Sequence, residues 1–582
     1  MSRRASRGYM LIAILAAFSL MLAACSQPAA PAKPAESKPA ESKPAAAATT
    51  APAAPAAASP AAGSASPAAG AAASPAAAAP AAAVPAPAAK VQSSGAATAK
   101  APANKTELVI ASPSDISKLD PHMSTSFQDI IITFNLYDNL TARDPDLKLI
   151  PRLATEWKAT SDTVWEFKLR PNVKFHDGTP LTSADVKFSI ERTYDPNAKT
   201  LVSTIFGTVE KVDAPDPLTV IFTTKQPDPL LPARLGFYGG QIMPKAYFEQ
   251  VGADEFNAKP IGSGVVKFKE WVKDDRLVLD ANKEYWGGAP DFERVTLRPI
   301  PENQPRMAAL LSGQADMALK LIPDQVDQLK SNDKARAEGA LYAGLYVLGV
   351  NSKVPPLDNP KVKEALSLAI DRDGILKALW RGQGVPPNGF IAPGDTVGYD
   401  ANRKPFEFNV DKAKALLAEA GYKGEEIVIE SSTVLGNDRQ MSEAIIEMWK
   451  NVGVNAKMEI IEGSVRAQKN REKTFKGLWW SDPTSTLQDP DGMMYRLLSP
   501  GGPMDYWREA EWDKLGLEAR FSMDPQARDA AYKRMNDIMS VYYPWLPVIV
   551  PTESHGVASY INWRSNPNQT MELRKDVFSF NR

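Results

Sequence analysis

Residues 153–194, LATEWKATSDTVWEFKLRPNVKFHDGTPLTSADVKFSIERTY, constrain this chain most tightly, because one hydrophobic pattern gives way to another within a short stretch. Trp165, Phe167 and Leu169 alternate with Glu166, Lys168 and Arg170, as on a half-buried strand. Asp177-Gly178 supplies a tight turn. Thr182 then stands where a helix cap is needed, with Asp185 three residues on, where an acid favours the N-terminal dipole. Val186, Ile190 and Tyr194 follow four apart, along one helical face. The stretch predicts strand, turn and helix, a unit of α/β structure.

The N-terminus cannot contribute to such a fold. Arg3, Arg4 and Arg7 precede an apolar run from Met10 to Ala24. That run is too short to span a bilayer comfortably and ends in small residues, so it reads as a secretion signal. Leu22-Ala23-Ala24-Cys25 has the wording of a bacterial lipobox, which is cut before a cysteine whose thiol takes a diacylglycerol. Cys25 is the only cysteine of the 582 residues, which rules out a disulfide within the monomer. From Ser26 to about Asn104 the chain is almost all Ala, Pro, Ser, Gly and Lys, without an aromatic residue. Such a segment cannot bury enough surface to offset the entropy of ordering. It is expected to be a disordered tether with a reach bounded near about 240 Å, or a stiff wall-spanning spacer, and composition does not separate the two.

The remaining stretch of roughly 480 residues is too long for a single core and long enough for two or three lobes. A net charge of −1, with acids and bases interspersed, gives no basic face for nucleic acid. The three histidines, His122, His176 and His555, lie far apart, so no His/Cys metal spacing exists and no metal or cofactor is expected. Neither G-x-S-x-G nor H-E-x-x-H occurs, and no Asp or Glu pair stands out for hydrolysis.

Further elements follow the same reasoning. Residues 108–111 form a short apolar strand, and Phe127, Ile131, Phe134 and Tyr137 mark a helix face. Residues 218–223 make a strand and 230–247 an irregular return. Residues 268–272 and 276–280 flank Lys273-Asp274-Asp275 as a hairpin. Asn359 caps a helix that opens with Pro360 and buries Val362, Leu366, Ala369 and Ile370. A helix over 411–420 stops at Gly421, a left-handed cap candidate. Strand, helix and strand follow over 427–430, 439–451 and 454–460, and residues 345–351 and 545–550 are further strands. This alternation is what a second α/β lobe looks like.

The wording of these segments resembles the extracellular solute-binding proteins of family 5, the oligopeptide-, dipeptide- and nickel-binding receptors of ABC importers. The family's LA-x-x-W, its aromatic strand ending LR and its V-x-F-H-D-G-x-P-L-[ST]-x-x-D-V run from Leu153 through Lys174-Phe175-His176-Asp177-Gly178 to Asp185-Val186. Leu119-Asp120-Pro121-His122, Leu136-Tyr137-Asp138-Asn139-Leu140, Gly262-Ser263-Gly264 and Asn282-Lys283-Glu284-Tyr285-Trp286-Gly287-Gly288 match further family strings. So do Leu310-Leu311-Ser312-Gly313-Gln314-Ala315-Asp316 and Ala369-Ile370-Asp371-Arg372. Val265-Val266 departs from the Pro-Tyr that usually follows the glycine motif. Tyr285 and Trp286 read as core residues rather than contacts.

The resemblance implies an α/β, bilobal periplasmic-binding-protein type II fold (cluster C) with an extra domain and a discontinuous first domain. Lobe I would comprise about 105–136, 257–345 and 541–582, the extra subdomain about 137–256, and lobe II about 346–540, with hinge strands near 257–264, Leu345 and Trp545. It implies a non-enzymatic receptor, secreted and lipid-anchored through Cys25 to the outer face of the cytoplasmic membrane. The receptor would be a monomer that hands a small solute to ABC permease subunits driven by ATPases. In peptide-binding members a Trp-x-x-Asp on a strand of the second lobe offers its Asp to the peptide α-ammonium. Trp479, Trp480, Ser481 and Asp482 have that spacing, and backbone around Trp480 would pair with the peptide as an added strand. Asp115, beside Ile116, lies where peptide binders place an acid just before Leu-Asp-Pro. The tract after Asp482 is longer than usual, so the pocket acid is either Asp482 or Asp489. Trp479, Trp480, Tyr495, Trp507 and Trp512 also form an aromatic-rich group, which leaves an oligosaccharide as the alternative to a short peptide. A nickel chelate, a surface hydrolase and a sensor that lost transport are the remaining readings.

Overall fold

The computed structural model describes residues 95–395, 397–432, 435, 437–485 and 487–582. Cys25, the secretion signal and most of the expected tether lie outside the described residues. Three large hydrophobic cores, beside two small clusters, organise what is described.

The first core gathers Leu108, Ile110, Leu136, Tyr137, Val295 and Leu297 with Val557, Trp563 and Phe578 from the far end of the chain. The second gathers Val347 and Leu348 with Leu366, Ile429, Trp449, Trp480, Trp512 and Trp545. The third holds Phe167, Val186, Ile190, Phe206 and Phe222. A 12-stranded sheet serves the first two. Its order is Ala456–Ile460, Ile427–Ser431, Leu478–Ser481, Tyr346–Val350, Trp545–Ala558, Met317–Ala318, Glu107–Ser112, Arg294–Pro299, Arg276–Ala281 and Val266–Val272. Ala335–Leu341 and Gly384–Val385 also pair with the long strand Trp545–Ala558. That strand belongs to both halves: Leu546 sits opposite Leu348, and Ser554 sits opposite Gly339. The apolar run over 545–550 thus continues for a further eight residues, because partners on both sides complete its ladder.

The third core lies under a separate antiparallel sheet, ordered Ala154–Ser161, Val164–Leu169, Thr219–Thr224, Val209–Asp216. Trp165, Phe167 and Leu169 point inward as their alternation requires. The helix Ser183–Tyr194 starts as expected, with the Asp185 carboxylate accepting from the Thr182 backbone N–H at 2.9 Å and its hydroxyl at 3.0 Å. Asn359 caps Pro360–Leu368 by accepting from the Lys361 N–H. The crossover Ile427–Ser431, Asp438–Lys450, Ala456–Ile460 is parallel, as in a βαβ unit. Residues 230–247 are less irregular than expected, since the helix Lys245–Ala258 begins within them; it buries only Phe256 and so carries a faint apolar signal.

The short motifs converge on one buried junction between the first and third cores. Asp138 follows the helix Phe127–Leu136 and is buried. Its carboxylate accepts from Ser263 Oγ at 3.0 Å, Tyr285 Oη at 2.8 Å and Trp286 Nε1 at 3.0 Å. Burial raises the Asp138 carboxyl, opposed by nearby Arg152 and by these donors. His176 Nδ1 accepts from the Gly262 N–H and Nε2 faces the Gly264 carbonyl, each at 3.1 Å. A Cβ on Gly262 or Gly264 would lie within 2.2 Å of the carbonyl oxygens of Leu136 and Asn135, so only glycine permits this approach. Residues 262–264, the end of the stretch expected at a hinge, therefore pack against the end of the helix Phe127–Leu136.

The tether ends earlier than its composition suggests. Thr98 and Ala99 N–H groups donate to the Ser559 carbonyl at 2.7 and 3.0 Å, Ala101 to that of Asn581 at 2.7 Å, and Trp563 to that of Gly95 at 2.9 Å. Residues 95–101 are thus laid against the C-terminal segment by backbone hydrogen bonds, which a small-residue composition does not reveal.

Two stability predictions follow from this packing. Asp138→Ala removes the acceptor of three buried donors; at roughly 1–3 kcal/mol for each orphaned group, unfolding in urea is expected to lose about 3 kcal/mol or more. A loss below about 1 kcal/mol would show that the junction is not fixed by Asp138. Burial also lowers all three histidines, His122, His176 and His555, to about 4 from their ordinary 6.5. The unfolded chain then takes up protons that the folded chain refuses. Stability is expected to be full above about pH 6.5 and to fall toward about pH 4, by up to about 1.4 kcal/mol per pH unit for each histidine. Denaturation midpoints that stay flat through this window would show the histidines protonated in the folded state.

Candidate ligand-binding cleft

A cavity of about 880 Å3 is walled from the first two cores at once. Phe127, Lys320 and Asp324 line one side, Trp380, Gln440 and Asp482 the other, and Tyr342, Tyr346 and Glu553 stand on the segments that join them. A cavity of about 1030 Å3 lies elsewhere, against the helices Ser183–Tyr194 and Lys245–Ala258. Its Lys187 and Arg192 are already paired, with Glu191 at 2.5 Å and Asp120 at 2.6 Å. The cleft is the better site because it draws walls from two bodies and presents charges that have no partner.

Asp482 is one of these. It follows the strand Leu478–Ser481, is open to the cleft, and has no cationic nitrogen within 4.0 Å among the described residues. Loss of solvent between the cleft walls raises its carboxyl above the usual range, while Arg466 and Lys320 pull it back. Burial raises the Tyr342 phenol, and the Asp482 charge adds to this. The Tyr342 hydroxyl also pairs with Thr484 Oγ1. Tyr346 is raised by burial and by the charges of Glu553 and Asp482. Tyr342, Tyr346 and Trp380 meet edge to face, with ring centroids 6.0 and 6.1 Å apart, and give the cleft an aromatic wall. Arg381 reaches Asp324 at 2.8 Å, and Gln383 donates to the Pro323 carbonyl at 3.1 Å, so the two walls touch at one end.

The other expected site residues lie apart from Asp482. Trp479 is buried, stacked on Phe475 at 4.4 Å and against Tyr506 at 4.8 Å. Trp480 is buried too, with Nε1 donating to Ser442 at 2.7 Å. Their side chains hold the strand, in which Ser481 pairs with Val347 and pairing to Ile427–Ser431 stops at Trp479. The Trp480 carbonyl beyond that point accepts from Arg466 at 3.3 Å. Asp115 is taken up by the hairpin, accepting from Trp271 Nε1 at 3.1 Å and the Asp274 N–H at 2.8 Å, and Ile116 is core. Asp489 is buried in an ion pair with Arg528 at 2.5 Å and accepts from the Asp491 N–H at 3.0 Å. Tyr495, Trp507 and Trp512 pack in the second core, so the aromatic group faces no ligand space. Sequence reasoning did not find Lys320, Tyr342, Tyr346 or Glu553. None sits in a motif, and only the meeting of distant strands places them together.

Comparison with known proteins agrees with this architecture. Residues 148–505 match the family described as bacterial extracellular solute-binding proteins, family 5 Middle. The glutathione-binding protein GsiB of Pectobacterium atrosepticum is 30% identical over 431 residues, covering 72% of this chain and 81% of its own. GsiB of Escherichia coli K12 is 26% identical over 457 residues, covering 76% and 89%. Among solved structures, HbpA2 from Haemophilus parasuis is 27% identical with a TM-score of 0.72, covering 81% of this chain and 99% of its own. DppA from Helicobacter pylori, in complex with the peptide STSA, is 24% identical with a TM-score of 0.70, covering 82% and 98%, and shares the fold. The fold is therefore the bilobal α/β type II periplasmic-binding-protein fold with an extra domain. The chain belongs to the bacterial extracellular solute-binding proteins of family 5.

Proposed function

We propose that this protein captures a short peptide between two lobes and delivers it to an ABC permease, while a lipid on Cys25 holds it at the outer face of the membrane. The observation that carries this reading is Asp482: a carboxylate at the end of an inner strand, open to a two-walled cleft and lacking an ion-pair partner among the described residues. A peptide α-ammonium supplies the missing charge, and burying that ammonium without a partner would cost several kcal/mol. The names of similar proteins point the same way, since glutathione is itself a tripeptide with an α-ammonium. The lobes would be the bodies around the first and second cores, hinged at residues 342–345 and the long strand. Closure is favoured only because a ligand touches both walls at once. The oligosaccharide alternative rested on rings that lie in the second core, and the rings that do line the cleft meet edge to face.

Native mass spectrometry of the protein with whatever it co-purifies tests this. Bound masses spaced like amino-acid residues are expected, and masses in hexose or pentose steps would overturn the peptide. Asp482→Asn is expected to weaken peptide binding by about tenfold to a hundredfold, the range for a charge-assisted contact, with the unfolding midpoint unchanged. Turnover of a bound peptide would reassign the cleft to a hydrolase.

A further inference from the structure

A further cavity, of about 310 Å3, lies away from the cleft and shares no lining residue with it. Two bodies build this one as well. Ile205, Arg234 and Tyr238 stand on the side of the third core, and Asp491, Arg496 and Arg520 on the side of the second. Three arginines therefore meet a single acid on its walls.

The backbone around Asp491 sets up this meeting. Asp491–Tyr495 is one π turn: the Tyr495 N–H donates to the Pro490 carbonyl at 3.1 Å, and the Arg496 N–H donates to that of Asp491. Such widened turns are rare and recur at functional sites. Here the turn carries Asp491 and Arg496 to the same cavity, one as acceptor and the other as donor.

The charges do not balance. Asp491 accepts from Arg520 Nε at 2.6 Å and lies 3.7 Å from Arg234, which is already paired with the buried Asp228 at 3.0 Å. Arg496 has no carboxylate oxygen within 4.0 Å among the described residues. Its Nε donates to the Gly492 carbonyl at 2.8 Å, within its own turn. The terminal nitrogens of Arg496 and Arg520 meet no acceptor among the described residues. The Arg496 charge reaches the facing wall, where burial raises the Tyr238 phenol and this charge pulls it back. Ion pairs that only held the two bodies together would match cation to anion; three guanidinium groups against Asp228 and Asp491 leave one positive charge over. Ile205, Phe237 and Phe521 complete the walls with apolar surface.

We propose that this cavity is a binding site for a small organic phosphate, whose oxygens take the unused N–H groups of Arg496 and Arg520 and whose apolar part lies on Ile205, Phe237 and Phe521. The planar guanidinium fork suits this task, because it meets phosphate oxygens two at a time. The Asp138 junction fixes the third core to the first, so an occupant that touches both walls also holds the second core against that pair. It thereby favours the same arrangement of bodies as a ligand in the cleft.

Binding of inorganic phosphate and of phenyl phosphate to the full chain, measured by calorimetry at constant ionic strength, tests this. Phenyl phosphate is expected to bind about tenfold or more tighter than phosphate, since its ring leaves water. Arg496→Gln is expected to weaken both by about tenfold or more, as for a charged hydrogen bond, and to leave the unfolding midpoint in phosphate-free buffer unchanged. Arg439→Gln, at an exposed arginine paired with Glu443 at 2.9 Å on the helix Asp438–Lys450, should keep both affinities. No saturable binding of either anion, or wild-type affinity in Arg496→Gln, would overturn the site. An equal loss in Arg439→Gln would show a diffuse effect of charge and overturn it too. Equal affinity for the two anions would overturn the organic ligand. Neither anion carries an ammonium, so none of these results bears on the peptide reading of the cleft.

Discussion

The buried carboxylate of Asp138 is the interaction on which the arrangement of the bodies depends. A charge-bearing group in a packed interior is tolerated only where donors surround it, and here they come from two distant parts of the chain: Ser263, and the adjacent Tyr285 and Trp286. His176, whose two ring nitrogens are both occupied by the backbone of residues 262–264, locks the same junction from the third core. The glycines at 262 and 264 allow the segment before the strand Val266–Val272 to press onto the end of the helix Phe127–Leu136. The junction therefore sets the angle between the third core and the first, and none of its polar groups is spare for a ligand.

The long strand Trp545–Ala558 plays the complementary part between the first and second cores. It is shared rather than divided, so the two halves of the sheet are joined through one continuous backbone. Glu553 and His555 on this strand stand close to the cleft, and so do Tyr342 and Tyr346 on the second crossing. Among the described residues, Asp482 on one wall and Lys320 on the other stand without an ion-pair partner.

The sequence reached many of the elements for identifiable reasons. Alternation exposed the strand over 164–169, an N-cap before proline exposed Pro360–Leu368, and a left-handed glycine ended the helix before Gly421. The same cap signature, Asp524 before Pro525, opens the long helix Pro525–Tyr542, which the reading of the sequence passed over. Of the candidate site residues, Asp482 faces the cleft, whereas Asp115 and Asp489 are engaged by Trp271 and Arg528. Their surroundings look alike in one dimension: an acid preceded by a polar residue and followed by an apolar one. What separates them is whether a donor from another part of the chain arrives, and sequence spacing carries no record of that.

The sequence by itself determined the kind of protein. Local patterns and fixed offsets name the α/β elements and the family, because helix period, strand alternation, caps and glycine turns are decided by residues a few positions apart. The tertiary structure alone decided which charges are free. Lys320, Tyr342, Asp482 and Glu553 are separated by up to about 230 residues and meet only because a shared strand brings two cores together. Burial and pairing are properties of the whole packing, so the difference between a carboxylate that holds the fold and one that awaits a ligand appears only in three dimensions.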